Sequence, residues 1–334
     1  MLLEMTDEKA RHLLVQSRHL HWDFPTSQGI PIIKRDPASQ LVEKAAQERE
    51  SYANAARVLL EKGDKEAAVE LAANAWRLWM VARDLKGGRE FLASVLEKAG
   101  KKHSRSLSLS LYGDSLFAHL QGKVEESRER SQAALDAALV VNDPEALTLA
   151  YLGLARVAVE KGSNAEAVRL ALKARESARG LDPALGQAPL YLHAQSTRLL
   201  GDYNKAGELF EKSLNLNRKI NDRGMVAAEL QNLGFVELHR GNLEHAKQCF
   251  TEFETKGFSD DPYFSGMNLF AQTYLVYSES GEKDRSHTLF QRALDIFKEA
   301  KITPGPDDQF EINWIQGKLK GNVQVQRPRR VLSV

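Results

Sequence analysis

Cysteine is nearly absent from this chain: Cys249 is the only one in 334 residues, so no intrachain disulfide can form. A fold without disulfide staples fits a reducing compartment. Charge of one sign is also missing. Lys plus Arg number 46 and Asp plus Glu 45, a net charge of +1, so no overall field favours nucleic acid or an acidic membrane. No stretch reaches the roughly 18 apolar residues that a membrane span requires. The start, MLLEMTDEKARHLLVQ, has early acidic residues and no long apolar core, unlike a secretory signal. Together these absences place the chain in the cytoplasm.

Catalytic signatures are lacking as well. There is no GxxxxGK[ST] phosphate loop, no GxSxG elbow, no HExxH pair and no outstanding carboxylate pair. The expectation is that the protein is not an enzyme and has no catalytic residue, cofactor or metal. His12, His19, His21 and Asp23 form the one histidine cluster, but their spacing fits no zinc pattern. His21 and Trp22 read better as packing residues. Cys249 has no neighbouring base or helix start to activate it and reads as a buried small residue.

What the chain does have is a period. Turn-type residues recur at Asp84, Gly122, Gly162, Gly201, Gly241 and Gly281, in steps of 38, 40, 39, 40 and 40 residues. Each interval holds two apolar-periodic helices joined by a tight turn, which predicts stacked helical hairpins. Small residues stand seven positions before the turn (Ser115, Ala155, Ala194, Gly234) and five after it (Ser127, Ala167, Ala206, Ala246, Ser286). They let the paired helices approach. Phe210, Phe250 and Phe290 follow nine positions after the turn, where a ring would fill the space between one hairpin and the next. Ser131 and Ala171 replace that ring in earlier units, and Tyr274 replaces the small residue of the sixth.

This arrangement resembles the tetratricopeptide repeat (TPR), in a variant with a period near 40. NLGFVELHRGNLEHAKQCF (232–250) and RLLGDYNKAGELFEKSL (198–214) carry the likeness most clearly. The resemblance implies an all-α fold, a right-handed α-α superhelix (a TPR solenoid) of about six helical hairpins. Residues 48–99 are also similar to the repeat region of bacterial STAND/LuxR-type signal-transducing ATPase regulators. Asn54, Ala55, Arg57, Gly63, Asp64, Trp76, Trp79, Gly88, Arg89 and Leu92 carry that match. In that family the region senses an inducer or a partner. The ATPase and DNA-binding domains have no counterpart here. Trp76 and Trp79 themselves read as core.

The expected organisation is an N-terminal arm with a Pro-rich loop over 1–39 and a TPR-like helical repeat domain over 40–301. A C-terminal capping helix follows over 302–320, then a flexible basic tail over 321–334. A solenoid of this kind builds a surface rather than a pocket. Its groove should be lined by first helices and display Tyr112, His119, Arg156, Tyr191, Gln195, Arg198, Gln231, Asn232, Phe235, His239 and Asn268. Rings supply contact area there, and Arg or Asn fixes orientation. Only Asn232 matches the carboxylate clamp of chaperone-binding relatives.

The leading function is therefore a non-enzymatic protein-protein interaction module, an adaptor or regulatory sensor. It would bind a peptide or helix of a partner protein in the concave groove. The alternative is a small-molecule or signal receptor relaying to a separate transcriptional or signalling effector. Nucleic-acid binding through the tail QRPRR is the weaker third reading, and homo-oligomerisation stays open.

Overall fold

The computed structural model describes residues 5–23, 47–100, 102–257 and 261–321, with side chains from residue 19 to 46 excepted. The Pro-rich loop, the side chains of His19, His21, Trp22 and Asp23, and the basic tail after Gly321 lie outside the described residues. Every regular element among the described residues is helical. The chain divides into two compact units, Met1–Ser196 and Thr197–Val334. The repeat region expected over 40–301 is thus shared between them.

In the first unit, helix α1 (Asp7–Asp23) packs on α2 (Arg49–Glu61) and α3 (Lys65–Ala75). Ala10, Leu14 and Ser17 are the buried stripe of α1, at helical spacing. Ser17 Oγ accepts a hydrogen bond from Asn74 Nδ2 of α3 at 3.1 Å. This part of the N-terminal arm is therefore built into the core. Gly63 turns α2 into α3 with a φ of +82°, and Asp64 caps α3 by accepting from the Ala67 amide at 3.2 Å.

After Gly63 the helical path breaks at Trp76, giving α3 and the short α4 (Arg77–Val81) before α5 (Leu85–Leu96). Trp76 lies edge-on to both Tyr112 and Phe117, with centroids 5.9 and 6.0 Å apart. Trp79 stacks on Phe91 at 4.2 Å. Both tryptophans are core residues, as their spacing implied. Asp84 is the N-cap of α5, accepting from Gly87, and the left-handed residue of this turn is Arg83.

The regular 40-residue rhythm starts with α6 (Arg105–Leu120) and α7 (Val124–Val141) around Gly122. Then come α8 (Pro144–Glu160) and α9 (Asn164–Ser177) around Gly162, followed by α10 (Gln187–Leu199) and α11 (Tyr203–Lys219) around Gly201. The second unit begins within the last turn of α10, contains α11, and continues with α12 (Arg223–Arg240) and α13 (Leu243–Thr255), then α14 (Pro262–Ser280) and α15 (Lys283–Glu299). It closes with α16 (Pro306–Leu319). The linkers supply the caps: Asp143 accepts from Ala146 at 2.8 Å, Asp222 from Met225 at 3.0 Å, and Pro144 and Pro262 occupy first turns.

The small positions do face each other across a hairpin. Ser115 of α6 hydrogen-bonds Ser127 and Ser131 of α7 at 3.2 and 2.5 Å. Ser131 stands where the last three units place a ring, so this hairpin has a polar bond where those have an aromatic side chain. The rings also make contacts inside their own hairpins. Phe250 packs against Gly234 and lies edge-on to Phe235 in its own hairpin, at 5.6 Å. A Cβ on Gly234 would lie 2.5 Å from the Phe250 ring. Phe290 likewise meets Phe270 across the α14–α15 hairpin at 5.1 Å. In the α12–α13 hairpin the ring and the small residue are thus two halves of one contact.

Candidate functional site

The first helices carry the residues of interest, and the two units treat them differently. In the second unit, α16 lies against first helices rather than only against the last hairpin. Glu311 of α16 is buried and accepts from Arg198 Nη1, at the end of α10, at 3.1 Å. Its other oxygen lies 2.6 Å from His239 Nε2 of α12. Trp314 approaches His239 at 4.1 Å and Tyr274 of α14 at 4.7 Å. Tyr263 of α14 donates to Asp308 at 3.1 Å. Burial raises the Asp308 carboxyl above its usual range, against the opposing pull of Arg198. Tyr203 stacks on the other side of His239 with centroids 4.4 Å apart.

A helix carrying a carboxylate between two large rings, Phe310-Glu311 and Trp314, is therefore held across α10, α12 and α14. Arg198 and His239, expected as open groove residues, are occupied by the chain's own C-terminal helix. Tyr274 has its ring where other repeats are small because α16 covers it. Sequence reading placed a capping helix here from Phe310, Ile312, Trp314, Ile315 and Leu319. It missed Glu311 as the partner of Arg198, because the two are 113 positions apart. The one available signal was a charge inside an otherwise apolar helix face.

Other expected groove residues of this unit are internal. Phe235 is 2% exposed and belongs to the hydrophobic cluster with Phe250, Phe270 and Ile315. Gln231 donates to the Phe264 carbonyl at 3.2 Å, tying α12 to α14. Asn268 donates to Glu254 at 2.8 Å. Asn232 bonds back to the Ala228 carbonyl of its own helix at 2.9 Å. Amides one register position from the groove serve the contacts between helices, because buried polar groups must be paired.

In the first unit, Tyr112, His119 and Arg156 come together. Arg156 Nη1 of α8 donates to the Tyr112 hydroxyl of α6 at 2.7 Å, so the pair bridges consecutive first helices. Arg156 is 7% exposed, and no carboxylate lies within ion-pair distance of it among the described residues. Burial first, and the Arg156 charge second, push the His119 imidazole down to about 4. His119 is therefore neutral at physiological pH, and the local positive charge is on the guanidinium. Arg77 lies over the Trp76 ring at 4.7 Å, and burial lowers its pKa too. Tyr191 and Gln195 are half-buried on α10. Tyr191 packs against the hydrophobic cluster of this unit.

The chemistry available is recognition. Among the described residues no cluster of three His, Cys, Asp or Glu is placed to hold a metal ion. Cys249 is buried, and burial pushes its thiol up to about 12. No helix among the described residues is long and apolar enough to cross a membrane.

Residues 189–220, spanning α10 and α11, match the family model of the tetratricopeptide repeat. The photosystem I assembly protein Ycf3 of Synechococcus sp. (strain CC9311) is 26% identical over 127 residues, 37% of this chain and 71% of that protein. Among solved structures, a Rap protein complexed with Competence and Sporulation Factor is similar with a TM-score of 0.59 and 13% identity. That likeness covers 96% of this chain and 84% of the other. NprR in complex with its cognate peptide NprX is similar with a TM-score of 0.52 and 16% identity, covering 86% and 85%. At such identities the likeness is one of fold. The chain is an all-α protein of stacked helical hairpins that carries a tetratricopeptide repeat.

Proposed function

We propose that this protein is a non-enzymatic interaction module, an adaptor or regulatory sensor of a bacterial-type cytoplasm, whose first-helix face holds a peptide or helix of a partner protein. One observation carries the reading: the first helices of the second unit already hold a helix, α16, through a buried carboxylate and flanking rings. A surface that binds an amphipathic segment of its own chain has the chemistry to bind one from outside, the helix-in-groove mode of recognition. One solved structure of this fold is a complex with a cognate peptide, which supports the same reading. The similarity of residues 48–99 to the sensing region of STAND/LuxR-type regulators agrees with a sensor role.

The residues proposed to contact the partner are those of the first unit, Tyr112, His119, Arg156, Tyr191 and Gln195. Selection of a phage-displayed random 15-mer library against the intact chain tests the proposal. Enriched peptides should bind wild type saturably and lose affinity for Tyr191→Ala/Gln195→Ala. Failure to enrich any peptide over an unrelated helical protein would refute it.

A further inference from the structure

Two arginines drawn away from water in this protein are answered by carboxylates. Arg198 has Glu311, and Arg89, mostly buried, has Asp114 at 3.1 Å. The rule has a physical basis: a guanidinium removed from water is costly unless a counter-charge accompanies it. Arg156 differs from these two. It is as buried as Arg198, 7% against 4% exposed, yet its hydrogen bond goes to a neutral phenol. His119, which feels the Arg156 charge, is neutral and adds no negative charge. Glu145, in the first turn of α8, is engaged by Arg105.

The Tyr112 hydroxyl fixes one nitrogen of Arg156. A guanidinium has five N–H donors in a planar fork, and such a fork is suited to a carboxylate. The second unit supplies the pattern of a matching ligand: a helix in which an acidic residue is followed three positions later by a tryptophan, Glu311 and Trp314, with Phe310 preceding. The Tyr112 ring itself lies under the guanidinium, with its centroid 6.0 Å from the Arg156 Cζ, and holds the fork in place.

We infer that Arg156, oriented by Tyr112 and flanked by His119, is an anchoring site for a side-chain carboxylate on an acidic, aromatic-bearing helical segment of a partner protein. The inference rests on the peptide-holding reading above and adds to it the charge of the ligand and the residue that reads it. Desolvation makes the site selective. A partner lacking the acid would bury Arg156 without compensation, and a basic partner would meet its charge.

The peptides enriched from the 15-mer library provide the test. They should carry Asp or Glu near an aromatic residue. Replacing that acid by its amide should weaken binding to wild type at least 10-fold by calorimetry. Arg156→Gln should weaken the parent peptide by a similar factor and leave the amide peptide nearly unaffected, while Tyr112→Phe should have a smaller effect. The amide-peptide comparison uses the unaltered protein, so it stands even if a variant folds poorly. Enriched peptides without acids, or binding indifferent to both the amide swap and Arg156→Gln, would overturn this inference while leaving the peptide-binding reading intact. An empty selection would overturn both.

Discussion

Glu311 accepts a hydrogen bond from Arg198 at 3.1 Å, joining the C-terminal helix to the end of α10 with both side chains out of water. Removing one partner of a buried ion pair strands the other charge. Glu311→Ala should therefore cost about 3–5 kcal/mol in urea unfolding, and an apolar pair such as Arg198→Met/Glu311→Leu should recover most of it. A loss below about 1 kcal/mol for the single variant would mean that α16 is not held by this pair.

The buried carboxyl of Glu229 on α12 makes stability pH-dependent. Desolvation raises it from 4.5 to about 8, more than the Ser213 hydroxyl lowers it. The folded state therefore keeps the proton longer than the unfolded chain. The contribution of Glu229 is intact below about pH 4.5 and is lost progressively as pH rises toward 8. Glu229→Gln should match wild type near pH 4.5 and exceed it increasingly above that, by about 1.4 kcal/mol per pH unit in the window. Thermal melts at pH 5 and 8 check this; a pH-independent difference would contradict it.

His119 titrates in the opposite sense. With its folded value lowered to about 4, protonation opposes folding, and stability is lost as pH falls below about 6.5. An NMR titration of the imidazole should give a midpoint near 4. Arg156→Gln should move it upward by removing the neighbouring charge, though not to the ordinary value, because burial is the larger cause. A wild-type midpoint near 6.5 would show that the ring is solvated.

Gly234 tests the packing within a repeat. An ordinary helix interior gains about 1 kcal/mol when glycine becomes alanine. Here the new methyl would lie 2.5 Å from the Phe250 ring, so Gly234→Ala should instead destabilise by about 1–3 kcal/mol. Phe250→Ala should cost about 3–5 kcal/mol. In the double variant the alanine at 234 should no longer be harmful, since the ring it strikes is gone.

The helical hairpins and their turns were determined by sequence alone, for local reasons. Left-handed glycines such as Gly241, with φ +77°, capping aspartates such as Asp222, and apolar residues at helical spacing act within a few positions of themselves. The small-residue register of Ser115 and Ser127 was legible for the same reason, as was the burial of Trp76 and Trp79. The tertiary structure decided what the groove residues touch. Whether Arg198 meets water or Glu311 depends on where α16 settles, and whether Phe250 packs within its hairpin or beyond it depends on helix rotation. Arg156 looked equivalent to Arg198 in the sequence. Only the packing separates them, because an ion pair between distant segments has no periodicity and forms where the backbone brings two charges within reach.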